Sequence, residues 1–262
     1  MIEAERAGPA LSELYRSDHS VRPQSTPIWN ELWSGVDWLA LHASPVYYGL
    51  GVPRGKGEPV IVVPGFFGHD MSLSELFFWL ARIGYQPYYS ELGLNTDCPD
   101  VSAVELLRVA RRAARETGRP VRLVGHSLGA LIARSVALEE PDLVDVVISL
   151  AGPFNDIAYV HPMLMDAMAA VRSRAGTMLT PNVGPACYTG HCTCSFTRNM
   201  LSPGPAQFRR YALYAEFDGL VDPTSCVESE PELNTGIATT HYGIVASACA
   251  YRVIAERLRE PA

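Results

Sequence analysis

Residues 121–133 read Val121-Arg122-Leu123-Val124-Gly125-His126-Ser127-Leu128-Gly129-Ala130-Leu131-Ile132-Ala133: an apolar run, then Gly-x-Ser-x-Gly, then a helical pattern. A chain that leaves a strand and enters a helix within a few residues holds the intervening serine in a strained turn, with its hydroxyl pushed into a cleft. Gly125 and Gly129 stand where any Cβ would meet the neighbouring strand or helix. Ser127 is therefore the candidate nucleophile, and the rest of the chain decides whether it has partners.

Upstream, Val60–Val63 is a continuous β-branched run of the kind buried on both faces of a parallel sheet, and it stops at Pro64-Gly65-Phe66-Phe67-Gly68. A helix is predicted over 72–83, with Leu73, Leu76, Phe77 and Leu80 on its inner side and Gly84 closing it. The alternation continues with a strand at 87–89, a helix at 101–117, the strand at 121–124, a helix at 127–138 and a strand at 144–150. After an interruption come strands at 211–217 and 234–239 and a final helix at 242–258. Alternating strands and helices with short connections predict an α/β fold with a mostly parallel central sheet, helices on both faces and ligands at the carboxyl ends of the strands.

At 262 residues and 48% hydrophobic, the chain can bury one large core. Residues 59–262 are expected to form that domain, with a cap-like insertion over about 153–208 near the active-site edge. Residues 1–58, cut by prolines at 9, 23, 27, 45 and 53, are expected to pack on the core as an extension. Trp29, Trp33 and Trp38 fall at near-helical spacing, which reads as packing before contact with a lipid surface. In the insertion, Met163, Met165 and Met168 read as core filling or as an adaptable apolar surface for substrate.

A serine hydroxyl needs a base to take its proton, and the base needs a carboxylate to fix its tautomer. In this architecture the order along the chain is serine, acid, histidine. His241 lies after the last strand and before the last helix, so it is the predicted base. His126 sits inside the nucleophile turn and is expected to point away from the hydroxyl, while His161 and His191 belong to the insertion and His19, His42 and His69 precede the serine. For the acid, Asp218 follows a strand and precedes Gly219, with Asp222 as the main rival and Glu216 weaker. The oxyanion donors are predicted to be the backbone N–H groups of Leu128, at the helix start, and Phe66, in the loop after the first strand. Phe66 and Phe67 are the candidate substrate-binding side chains, and Asp70 is expected to cap the helix that follows.

The net charge of -7 argues against nucleic acid as a partner. The arginines between Arg108 and Arg122 read as a solvated helix face. Acids at the N-terminus, the lack of a signal-like apolar stretch and the lack of a run long enough to span a bilayer predict a soluble protein, cytoplasmic in preference to secreted, although removal of a leader would leave the same sequence. Six cysteines are present, and Cys187, Cys192, Cys194 and Cys226 cluster late in the chain. A disulfide tying the 187–194 segment to Cys226 is the leading expectation; free thiols, or a metal site joined by His191, are the alternatives.

These residues resemble the α/β-hydrolase family, in particular its bacterial lipase-like branch, over about Pro59 to Leu258. The resemblance rests on Pro64-Gly65-Phe66, on Gly125-His126-Ser127-Leu128-Gly129, on Asp218-Gly219-Leu220-Val221 and on Thr240-His241-Tyr242-Gly243. Pro45-Val46-Tyr47-Tyr48-Gly49-Leu50-Gly51-Val52-Pro53 and the cysteine arrangement resemble actinobacterial lipase-like proteins. One departure is Pro64, which replaces the histidine usual before the oxyanion-loop glycine. The resemblance implies a serine carboxylic ester hydrolase needing no cofactor or metal, with lipid or other hydrophobic esters as substrates. Acyl transfer or thioester hydrolysis by the same triad is the alternative, and a non-catalytic binding protein a more distant one.

Overall fold

The computed structural model of the chain describes residues 27–155, 161–178, 180–188, 192–201 and 206–259. Its centre is a sheet of six strands: β1 (Pro59–Val63), β2 (Gln86–Tyr89), β3 (Val121–His126), β4 (Val144–Leu150), β5 (Arg209–Ala215) and β6 (Asn234–Ile237). Their order is β2-β1-β3-β4-β5-β6, and each neighbouring pair is parallel. The helices are α1 (Ser34–Ala43), α2 (Ser74–Arg82), α3 (Pro99–Thr117), α4 (Leu128–Glu139), α5 (Pro162–Ser173), α6 (Ser195–Leu201) and α7 (Ala248–Arg259).

Strand side chains alternate between two cores. Val60 and Val62 face a cluster with Leu76, Trp79 and Leu80 of α2 and Tyr251, Ile254 and Leu258 of α7. Ile61 and Val63 face the opposite cluster, with Leu106 and Val109 of α3, Leu131 and Ile132 of α4 and Phe196 of α6. Because β1 is covered on both sides, its apolar run shows no polar alternation. Asp145 on β4 ties three strands together at their amino ends, accepting from Arg122 Nε of β3 at 2.9 Å and from Arg209 Nη2 of β5 at 2.7 Å. On α3, Arg108, Arg111 and Arg112 pair with Glu91, Glu105 and Glu140 on a solvated face, as expected.

Several expectations change. The final helix does not run unbroken from 242: a 3-10 turn over Gly243–Ala246 comes first, and Ser247 in extended backbone (φ -91°, ψ 125°) interrupts it before α7. The break lets Ile244 bury completely while the Ser247 hydroxyl accepts from the Ala250 N–H at 3.4 Å. The tryptophans are not core residues: Trp29, Trp33 and Trp38 are 66%, 64% and 45% exposed. Leu41 of α1 and Val46 after it are the buried residues of this stretch, and Trp79 Nε1 donates to the Val46 carbonyl at 2.8 Å. In α5, Met163 and Met165 turn outward and fill no core. Residues 1–26 and His191 lie outside the described residues.

All six cysteines are free, so the expected bridge to Cys226 is not made. The tertiary structure places the thiols elsewhere: Cys187 hydrogen-bonds to Cys98 at the start of α3, and Cys192 to Cys194, while Cys226 is buried beside Asp218. Burial, and after it the Cys187 thiol, push Cys98 up to about 11, and burial holds Cys194 and Cys226 above their ordinary range. Thiols shifted in this direction are poor nucleophiles at neutral pH. No helix among the described residues is long and apolar enough to cross a membrane.

Candidate active site

The turn between β3 and α4 puts Ser127 at φ 52° and ψ -124°, a left-handed conformation costly for a residue with a side chain. Close packing enforces it. A Cβ on Gly125 would lie 2.5 Å from Ala130 Cα, and one on Gly129 would lie 2.3 Å from the Val63 carbonyl oxygen. Gly152, which the sequence did not single out, completes the fit, since a Cβ there would lie 2.5 Å from Ala130 Cβ. The Ser127 N–H donates to the Leu150 carbonyl at 2.8 Å, which anchors the turn to the end of β4.

His241 and Asp218 meet. Imidazole Nδ1 lies 2.7 Å from Asp218 Oδ2, and both residues are almost wholly buried, at 2% and 1% exposed. A carboxylate offers only acceptors, so the shared proton sits on Nδ1 and the lone pair remains on Nε2. The other carboxylate oxygen, Asp218 Oδ1, accepts from the N–H groups of Leu220 at 2.8 Å and Val221 at 2.7 Å, which orients it. The rival Asp222 is spent locally, accepting from Thr224 N–H at 2.8 Å and Thr224 Oγ1 at 2.6 Å as the cap of a 3-10 turn.

Ser127, His126 and His241 line one cavity of about 400 Å³, whose apolar wall includes Phe66, Phe67, Leu164, Leu220 and Val245. His126 lines this cavity as well, with its ring turned to the backbone of His241. Its ring centre lies 4.8 Å from that of His241, and Nε2 donates to the His241 carbonyl at 2.9 Å. Burial, and after it the nearby His241, push His126 down to about 3, so it stays neutral and commits its one proton to that bond. His69 and His161 each accept a backbone N–H at the start of a helical segment, and His42 bonds to the Trp38 carbonyl.

The two proposed oxyanion donors flank the serine. Leu128 is the first residue of α4, where an N–H has no acceptor within its helix. Phe66 belongs to the loop after β1, and a Cβ on Gly65 would stand 3.0 Å from Ser127 Cβ, so this loop touches the nucleophile turn. Asn95, a residue the sequence reading missed, holds the loop from beneath. Its side-chain Nδ2 donates to the Pro64 carbonyl at 2.8 Å, its backbone oxygen accepts from Phe67 N–H at 3.0 Å, and its N–H donates to the Gly68 carbonyl at 2.8 Å. No local pattern marks an asparagine whose partners lie some 30 positions away. Asp70 is no helix cap: its carboxylate accepts from Ser90 N–H at 3.0 Å, Ser90 Oγ at 2.6 Å and Glu91 N–H at 3.0 Å, tying the loop after β2. The His69 ring takes the capping place.

No family model matches the chain. Part of it is 35% identical over 104 residues to a triacylglycerol lipase of Pseudomonas fragi, covering 36% of this chain and 34% of that protein. A triacylglycerol lipase of Burkholderia plantarii is 30% identical over 129 residues, covering 46% of this chain and 36% of that protein. The chain thus spans about a third of the length of the curated relatives it matches. Among solved structures, the mature form of the Bacillus licheniformis lipase BlEst2 superposes with a TM-score of 0.53 at 17% identity, over 79% of this chain and 94% of that one. Aspergillus fumigatus lipase B superposes with a TM-score of 0.56 at 15% identity, over 80% of this chain and 55% of that one. The parallel six-stranded order, the serine turn between β3 and α4 and these superpositions agree: the chain has the α/β-hydrolase fold.

Proposed function

We propose that the protein is a serine carboxylic ester hydrolase acting on hydrophobic esters through Ser127, His241 and Asp218. The observation that carries this reading is the buried His241–Asp218 hydrogen bond of 2.7 Å at the wall of the cavity that Ser127 also lines. Ser127 Oγ attacks the ester carbonyl as His241 Nε2 takes its proton, and Asp218 steadies the resulting imidazolium. The N–H groups of Phe66 and Leu128 receive the carbonyl oxygen as it becomes negative. His241 then protonates the departing alcohol; water enters, gives a proton to His241 and attacks the acyl carbon, and His241 returns that proton to Ser127 Oγ as the acid leaves.

The apolar wall formed by Phe66, Phe67 and Leu164 favours an acyl chain, and about 400 Å³ lies at the lower end for ligand pockets. In this reading residues 59–262 form the catalytic domain, Leu164 of the insertion caps the cavity, and residues 27–58 pack against the domain. The resemblance of residues 45–53 supports an actinobacterial branch. A fluorophosphonate probe tests the assignment together with turnover of p-nitrophenyl esters of graded chain length. Labelling with one equivalent and turnover that both vanish in Ser127→Ala are expected. A wild-type protein that binds ester analogues yet neither labels nor turns over would be a binding module.

A further inference from the structure

A carboxylate from the segment ahead of α1 reaches the loops that carry the proposed acid and base. Glu31 Oε1 accepts from the Gly219 N–H at 2.9 Å and from the His241 N–H at 3.1 Å, and Oε2 accepts from the Tyr242 N–H at 2.9 Å. One side chain therefore joins the residue after Asp218 to His241 itself. Nearby, Asp37 of α1 accepts from Thr239 Oγ1 at 2.8 Å, a bond that involves neither Asp218 nor His241. The approach is close, and both receiving residues are glycine. A Cβ on Gly219 would lie 3.1 Å from Glu31 Oε1, and a Cβ on Gly243 would lie 2.3 Å from Asp37 Oδ2. Neither glycine adopts a positive φ.

Asp218 follows β5 and His241 follows β6, so their hydrogen bond is only as well placed as the two loops are. Catalytic geometry tolerates displacements of about half an ångström. Three backbone N–H groups directed at one carboxylate form charge-assisted bonds, which are stronger than neutral ones and fix direction as well as distance. We propose that Glu31 is a positioning residue of this site: through the backbone of Gly219, His241 and Tyr242 it sets the spacing of the acid and base loops. The proposal rests on the reading of Ser127, His241 and Asp218 as a triad. Glutamine cannot replace Glu31, because one of its two terminal atoms is itself a donor and faces an N–H.

Glu31→Gln, Glu31→Asp and Asp37→Asn are to be compared with the wild type in three measurements: kcat and KM on a p-nitrophenyl ester, the thermal melt, and the downfield proton resonance of His241 Nδ1–H. Glu31→Gln should lower kcat by ~10–100-fold with KM within about threefold of wild type, and should shift or broaden the resonance in a protein that still melts cooperatively. Glu31→Asp should recover part of the loss. Asp37→Asn should lower the melting temperature yet hold kcat within about twofold, since its partner Thr239 is outside the acid–base pair. Wild-type kcat and an unmoved resonance in Glu31→Gln would overturn the proposal, as would an Asp37→Asn that loses as much kcat. If Glu31→Gln does not fold, Glu31→Asp is judged on the same measurements. The resonance does not depend on turnover, so a wild type with no Ser127-dependent turnover would refute the triad reading while a resonance lost in Glu31→Gln still upheld the positioning role.

Discussion

His126 donates from Nε2 to the backbone carbonyl of His241 across 2.9 Å, so the residue inside the serine turn holds the backbone of the proposed base. Burial keeps the imidazole neutral down to about pH 3, so its one proton sits on Nε2, the nitrogen that faces this carbonyl.

That shift has a consequence for acid stability. In the unfolded chain His126 takes up a proton near 6.5, and in the folded protein only near 3. Between those values the unfolded state binds more protons, so the contribution of this group is fully present above about 6.5 and is lost as the pH falls towards 3, at up to about 1.4 kcal/mol per pH unit. Urea unfolding of wild type and His126→Gln between pH 4 and 7 should differ in slope by about this amount, with the variant flatter. Equal slopes would mean that the imidazole is charged inside the fold.

Asp218 and Asp222 should separate cleanly. Asp218→Asn removes the acceptor that fixes the His241 tautomer, and kcat should fall on the order of 10³–10⁴-fold. Asp222→Ala removes only a turn cap, costing about 1 kcal/mol of stability with kcat within about twofold. Ester kinetics and melts on the two variants check this, and reversed effects would reassign the acid.

Gly129→Ala should be among the most damaging single changes, since its Cβ would lie 2.3 Å from the Val63 carbonyl and 2.5 Å from that of Pro64. Neither backbone group can move without disturbing the serine turn, so a loss of about 3 kcal/mol or more is expected. Gly184→Ala, with nothing within 4 Å of the added atom, should melt close to wild type. A Gly129→Ala protein of wild-type stability would show that β1 and α4 are less tightly apposed.

Asn95→Ala should loosen the loop that bears the Phe66 N–H. Losing the Nδ2 bond to Pro64 leaves a buried carbonyl without that donor, and kcat/KM should fall ~10-fold with slower phosphonate labelling. Labelling at the wild-type rate would locate the second oxyanion donor elsewhere.

The strand–helix alternation was legible because it depends on interactions a few residues apart. The β-branched run of β1, the inward positions of α2 and α4 and the glycines around Ser127 each declare their environment through local sterics and periodicity. The candidate base and acid were legible for a related reason: both follow strands, and chain order limits what can reach the carboxyl edge. Where a single residue ended an element, the reading was less accurate. Ser247 breaks the last helix because burial of Ile244 decides the path before helix propensity does.

Contacts between distant parts of the chain carried no such signal. The tryptophans of the first helical stretch looked like core residues, yet it is the intervening Glu31 and Asp37 that face inward. The sequence by itself determined the order of elements, the strained serine and the short set of histidines and carboxylates that could serve it. Only the tertiary structure decided that His241 takes Asp218 and leaves Asp222 to a cap, that Cys187 meets Cys98 and that Glu31 spans 210 positions to the base. Backbone sterics act locally and are written in neighbouring residues, whereas a hydrogen bond between loops depends on where the whole sheet carries each loop's end.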